Sequence, residues 1–472
     1  MADIDRFDDD EKPIRPGDRW EDDLRRFKEM LGRDGKDINS PEALEEIIQF
    51  YFEHEKFEEA LSYSEKLLSF EPFNADVWQR RGMILNNLFR YDEALACYEK
   101  ALSLNPTDPE IFINRGITLD NLNRVEEALV SFDIALQLDP NHLDGLFHKG
   151  VTFEKQERFA EAVDLFRRIL DVDPEHADAW YELGYCYDFL ERGEDSVKAY
   201  DEHLNREPYN YNAWYNRGIV LNRLGRFDES VRSYELALAI KEDFPAAWYN
   251  LGNAQANQGR LQEAIQSYQR TLEFEPNDVP ALHNLGNAYE ELRQYREAIA
   301  AFTNALKHDE KHYESYFGRG SCWDALGQPK KALADYKRAL EIFPEYPELW
   351  YARADAEYNL GELDGALDSY RKVLEMEPNN ADAWFDYGDT LLEMDSVDSA
   401  IQALEKSLAL RADFALAHFS MAKAFIKKAD WESAVSSLRN AFRLQADLKK
   451  DFQALYPEIS HRQPFSSLLK QP

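Results

Sequence analysis

Residues 246–264 read AAWYNLGNAQANQGRLQEA, a stretch whose tryptophan, glycines and alanines fall at fixed separations. The same spacing returns as VWQRRG from residue 77, IFINRG from 111, AWYELG from 179, AWYNRG from 213, ALHNLG from 281, SYFGRG from 315 and AWFDYG from 383. Repeats starting at residues 41, 75, 109, 143, 177, 211, 245, 279, 313, 347, 381 and 415 align on a 34-residue period without an insertion. Counted from each start, position 20 holds only alanine or serine, from Ala60 to Ala434, and position 8 holds glycine in nine of the twelve repeats. A period of this length marks one supersecondary unit stacked on copies of itself.

The unit can be read from its residues. Apolar residues at positions 4, 7 and 11 share one helical face, and those at 17, 20, 24 and 27 share another. Gly225, Gly259, Gly327 and Gly361, all at position 15, suit a helix C-cap, and prolines at position 32 in eight repeats, from Pro72 to Pro378, stop the second helix. Each repeat therefore reads as a helical hairpin. Small residues at 8 and 20 let its helices approach closely, and aromatics at 24, such as Tyr98, Phe132, Tyr268 and Tyr370, fill the space beside them. One hairpin cannot bury both apolar faces, so neighbours stack into an all-α solenoid.

The pattern W-x2-L-G, then A-x3-[FY], then P, carried here by Trp248, Leu251, Gly252, Ala264, Tyr268 and Pro276, resembles the tetratricopeptide repeat over residues 41–448. The resemblance implies a right-handed superhelical solenoid of stacked helical hairpins, and a scaffold that holds peptides or proteins in a concave groove. It leaves residues 1–40 as an acidic tail plus a capping helix, in which Trp20, Leu24, Phe27 and Leu31 have helical spacing. Residues 449–472 are read as a C-terminal capping helix and a short tail.

Of 472 residues, 55 are Lys or Arg and 90 are Asp or Glu, a formal charge of −35 that repels nucleic acid and anionic membrane surfaces. No 18-residue apolar span occurs, and MADIDRFDDDEK has acids where a secretory signal needs bases, so a cytoplasmic location is expected. Cys97, Cys186 and Cys322 sit at small packing positions and are read as inert core residues of a reducing compartment. No phosphate-binding glycine loop, H-E-x-x-H or nucleophile elbow is present, so neither catalytic residues nor a cofactor or metal is expected. His308 and His312 fall at an inter-repeat turn and are read as surface residues.

Positions 2, 5, 9 and 12 of the first helix share one face, which the resemblance places in the groove. Position 5 carries an aromatic ladder of Phe147, Tyr181, Tyr215, Tyr249, His283, Phe317, Tyr351, Phe385 and Phe419. Beside it stand Asn216, Asn250 and Asn284 at position 6 and Asn253 and Asn287 at position 9, whose amides can donate to and accept from a peptide backbone. The family's clamp for a terminal carboxylate needs bases in the next repeat, where Glu314 and Gly318 stand instead.

Across those four positions there are 16 acids against one base, Lys423. Eight of the acids lie at position 2, where a helix N-terminus favours them; Asp120, Glu154, Asp188, Glu290 and Asp324 at position 12 lie near a C-terminus that does not. A basic partner or a generally acidic surface would explain them. The expectation is a non-catalytic scaffold or adaptor for Lys/Arg-rich protein segments. The alternatives are a regulatory or substrate-recruiting subunit of a separate enzyme, and a scaffold that self-associates through its ends. Gly193, Ser196 and His203, atypical at core positions 17, 20 and 27 of one repeat, predict a weak joint at residues 190–205.

Overall fold

The computed structural model describes residues 40–470 together with Leu24, Arg25 and Phe27. In all twelve repeats positions 1–13 form a first helix and positions 17–30 a second, from Pro41–Glu53 and Phe57–Phe70 to Ala415–Lys427 and Trp431–Leu444.

The turn between the two helices is built identically each time. The residue at position 15 is left-handed in every repeat: glycine, with φ from 68° to 75°, in four, and a non-glycine residue, from Glu55 to Ala429 with φ of 57–61°, in eight. The next N–H then reaches back to the carbonyl at position 11, as Arg260 does to Gln255 at 2.9 Å. In repeats two to seven that next residue is an arginine, and it clasps the acid three residues on, from Arg90–Glu93 to Arg260–Glu263.

Close packing explains the invariant small positions. All twelve residues at position 20 are fully buried. A Cβ on Gly252 would lie 2.6 Å from Cε1 of Tyr268, so the glycine exists to admit the ring. In two repeats a smaller position-24 residue goes with a larger position 8, Leu438 with Ala422 and Ser64 with Ile48, all of them buried, whereas Leu404 keeps Gly388. Adjacent repeats are tied by tryptophan at position 4, whose indole N–H donates to a loop carbonyl six residues earlier, as from Trp78 to Pro72 and from Trp384 to Pro378.

The chain forms two compact units, divided between Val220 and Leu221. In the first, Leu24 and Phe27 pack onto repeat one, with Phe27 stacked on Phe50 at 4.3 Å; Trp20 and Leu31 lie outside the described residues. In the second, Leu448–Leu455, Pro457–Ser460 and Phe465–Leu469 follow repeat twelve. Phe452, Phe465 and Leu468 are buried with Leu438 and Phe442, so residues 457–469 fold back over the last hairpin.

Repeat five keeps an unbroken second helix, Gly193–Arg206. Ser196 Oγ donates to the Gly184 carbonyl at 2.7 Å. The fully buried His203 donates from Nδ1 to the Ala177 carbonyl and accepts at Nε2 from the Asn210 amide, both at 2.9 Å. Ser196 and His203 are thus engaged in side-chain hydrogen bonds that alanine could not make, while Gly193 leaves position 17 without a side chain.

Candidate binding face

The position-5 ladder is half-buried, apart from the buried Phe419. Six of its rings meet the position-24 ring of their own repeat at 5.5–6.1 Å: Phe147, Tyr181, Tyr249, His283, Phe317 and Tyr351. Phe385 packs instead on Phe414. Tyr215 has the same half-buried setting. These rings pack within their hairpins and stay partly exposed on the face. The asparagines are likewise engaged within the chain. Asn216 donates to the Tyr181 hydroxyl at 3.0 Å, and Asn284 to the Tyr249 hydroxyl at 3.1 Å, so residue 6 of one repeat holds residue 5 of the one before. Asn287 donates to Nε2 of His283, whose protonation burial depresses to about 4. Asn250 is also engaged.

The acids at position 12 divide into two kinds. Asp120 is ion-paired with Lys155 at 2.5 Å, whereas Glu290 and Asp324 accept from Ser321 and Tyr336 hydroxyls and are pushed up by burial. Glu154 is also raised by burial, close to Cys186 Sγ and to Glu182, a position-6 acid that burial and the Glu154 charge push to about 8. Asp188 is half-buried.

Two hollows on this face occupy the same register three repeats apart. The first, about 400 Å³, is lined by Asn253 and Tyr268 of repeat seven and by Asn284 and Asn287 of repeat eight, with Asn222 and Asn257 beside them. The second, about 290 Å³, is lined by Asp355 and Tyr370 of repeat ten and by Asp386 and Asp389 of repeat eleven, with Tyr358 and Asn359. At each of three equivalent places an asparagine has become an aspartate.

The hydrogen bonds keep the same frame. Tyr268 donates to Asn253 Oδ1 at 2.8 Å, and Tyr370 to Asp355 Oδ1 at 2.6 Å. Asn284 donates to Asn253 at 2.9 Å and to the Tyr249 hydroxyl. Asp386 has no proton to give, so Tyr351 donates to it, and the Asp355 charge repels it. Burial first, and that repulsion after it, push Asp386 to about 6; Asp355 is raised by burial. Asp389 is neutralised by Lys423 at 2.8 Å. Among the described residues, no cation pairs with Asp355 or Asp386.

Asp386 and Glu182 stand at position 6, where a single repeat shows asparagine as readily as an acid. A comparison of each repeat with the one 102 residues on carries the signal.

Cys97, Cys186 and Cys322 are buried and free, and burial raises the thiol pKa of each. His312 caps its helix by accepting from the Ser315 N–H. Glu110, His142 and Asp144 bring ligating atoms within 4.8 Å of one another, but at two helix N-termini whose dipoles oppose a cation. No helix among the described residues is long and apolar enough to cross a membrane.

Hairpins of this construction, packed in sequence, define an all-α repeat solenoid. The chain belongs to the tetratricopeptide repeat family. Profiles described as Tetratricopeptide repeat match residues 147–207, 283–347 and 351–413, residues 75–108 and 245–278, and residues 97–130; one described as TPR repeat matches 220–259. No curated protein matches the chain in sequence.

Among solved structures, YrrB, described as a TPR protein with an unusual peptide-binding site, is 26% identical, with 40% of this chain and 96% of that one covered and a TM-score of 0.37. The C-terminal part of a TPR repeat-containing protein from Cytophaga hutchinsonii is 18% identical over 50% of this chain and 97% of that one, with a TM-score of 0.46. The APC/C heterotetramer Cut9–Hcn1 is 16% identical over 91% and 96%, with a TM-score of 0.39.

Proposed function

We propose that this chain is a non-catalytic scaffold whose first-helix face holds Lys/Arg-bearing protein segments. Its membership of the repeat family supports the protein-interaction role. The preference for basic segments rests on one observation: Asp355 and Asp386 are held in a desolvated hollow with phenol donors and, among the described residues, no counter-ion, where Asn253 and Asn284 fill the same frame without charge. Carboxylates in that state are stabilised by an ammonium or guanidinium that arrives with a partner. The amide-lined hollow would take main-chain or uncharged polar groups of the same segment. Buried thiols, and a histidine engaged in helix capping, support the non-catalytic reading and a reducing, cytoplasmic setting.

The test is fluorescence anisotropy with a Lys/Arg-rich peptide. Binding should weaken with added salt and fall about tenfold or more in the D355N/D386N/D389N variant. Equal affinity in that variant would remove the basic preference and leave only the scaffold.

A further inference from the structure

A cavity of about 790 Å³ opens away from positions 5, 6, 9 and 12. It lies between the second helices of repeats six and seven, Phe227–Ile240 and Leu261–Phe274, over Trp248, Leu251 and Gln255 of the helix beneath. Leu238 adds to the apolar floor, while Glu235, Glu242, Glu263 and Glu273 form the rim. Phe274, which packs beside the lining residue Arg270, is 40% exposed. Its lining cation, Arg270, is held by Glu242 and Glu273, and Glu263 is held by Arg260.

The same register between repeats ten and eleven shows what such a crevice accepts. There the cavity is about 410 Å³ over Trp384, Tyr387 and Leu391, and the chain's own Lys406 places its ammonium 4.0 Å from the Trp384 ring centroid. Between repeats six and seven the equivalent cation, Arg270, is drawn towards the rim, 5.4 Å from the Trp248 centroid. The larger crevice therefore keeps an open apolar floor and a net-acidic edge, in which Glu242 and Glu273 share one arginine and Glu235 has no ion-pair partner among the described residues.

We propose that the crevice between repeats six and seven docks a basic amphipathic segment of another protein, an aliphatic or aromatic side chain entering over Leu238, Trp248 and Leu251 while its Lys or Arg neighbours face the glutamate rim. Charge complementarity selects that occupant. A second copy of a chain with net charge −35 would be repelled by the rim. The site is separate from the first-helix face and does not depend on the function proposed for it.

The experiment titrates full-length protein with a labelled helical peptide that has one leucine face and one lysine face, and with an oligolysine of equal charge. The Leu/Lys peptide should bind more tightly than oligolysine. Its affinity should fall about tenfold in Ala239→Trp, which fills the crevice, and in Glu235→Lys, which inverts part of the rim, and should persist in D355N/D386N/D389N. Circular dichroism establishes that each variant is folded, and Glu235→Lys changes only a side chain on the rim.

Unchanged affinity in both crevice variants, or oligolysine binding as tightly as the Leu/Lys peptide, overturns the proposal. So does a loss confined to D355N/D386N/D389N, which would place the peptide on the first-helix face and support that reading instead. A photo-crosslinker at Gln266 that captures residues 1–39 or a second copy of the chain also overturns it.

Discussion

Repeats seven and ten are the same hairpin with two electrostatic solutions. Moving 102 residues along the chain turns Asn253 into Asp355, Gln255 into Glu357, Asn284 into Asp386 and Asn287 into Asp389, four amide-to-acid changes with almost no change of shape. How each charge is met differs. Glu357, 1% exposed, has Arg353 at 2.9 Å where repeat seven has Leu251, so an internal charge comes with its counter-ion. Asp389 has Lys423, whereas Asp355 and Asp386 receive only phenols. Charge inside the hairpin is thus compensated from within, whereas Asp355 and Asp386 on the face have no cation partner among the described residues.

The largest effect should come from breaking that rule in repeat seven. Gln255 is 5% exposed and accepts from Ser267 Oγ at 2.7 Å; in Gln255→Glu the acid would meet Leu251 instead of an arginine. An uncompensated buried charge costs about 3–5 kcal/mol. Urea denaturation should show that loss, and the double variant Gln255→Glu/Leu251→Arg should recover more than half of it. Additive effects in the cycle would mean that Arg353 is not what makes Glu357 tolerable.

The next effect has the opposite sign. Asp386 is raised from its ordinary 3.8 to about 6, so the folded chain holds that proton more tightly than the unfolded chain does. Stability from this group is fully present below about pH 4 and is lost as pH rises through about 6. Two pKa units correspond to roughly 2–3 kcal/mol. Asp386→Asn should therefore be more stable than the parent at pH 7.5 by up to that order, with the gain vanishing near pH 4. A gain independent of pH would show that charge is not its cause.

Most of the fold was legible in the sequence because it is dictated by steric facts that recur. Ala264, Gly252 and Tyr268 must fit one another, so their spacing discloses both helices and the turn between them. The face was less legible. Tyr249 and Asn284 have the exposure pattern of ligand-facing residues, yet each is the other's partner across a repeat junction, a contact that no single repeat contains. The charge count takes in Asp355 and Asp389 but not their state, because whether either has a counter-ion depends on which side chain the next repeat brings, and it leaves out Asp386 at position 6.

A smaller effect tests the packing common to the two repeats. Tyr268 faces Gly252 in repeat seven, whereas in repeat ten Ala354 is fully buried in one cluster with Tyr370. Gly252→Ala gains up to about 1 kcal/mol of helix propensity but forces its Cβ against a ring, at about 1–3 kcal/mol. A net loss near 1 kcal/mol is expected in thermal melts. A gain would mean that the ring shifts as freely in repeat seven as the presence of Ala354 requires of Tyr370.

The smallest difference is expected where the sequence alone predicts the greatest, between residues 190–205 and 258–273. Gly193 does leave position 17 without a side chain, and Leu261, its counterpart, is 8% exposed. Yet Ser196 and His203 supply three hydrogen bonds, to Gly184, Ala177 and Asn210, and a buried hydrogen bond contributes about 1 kcal/mol each. The cost of a missing Leu-sized side chain is about 2–5 kcal/mol before neighbours collapse, so the two terms largely offset. Amide exchange in the two segments should then differ by less than about tenfold. His203→Ala restores the residue most common at position 27 but removes two of the bonds, and should open that difference. Exchange in 190–205 that is already much faster in the parent would show that the bonds do not replace the missing side chain and that the joint is weak.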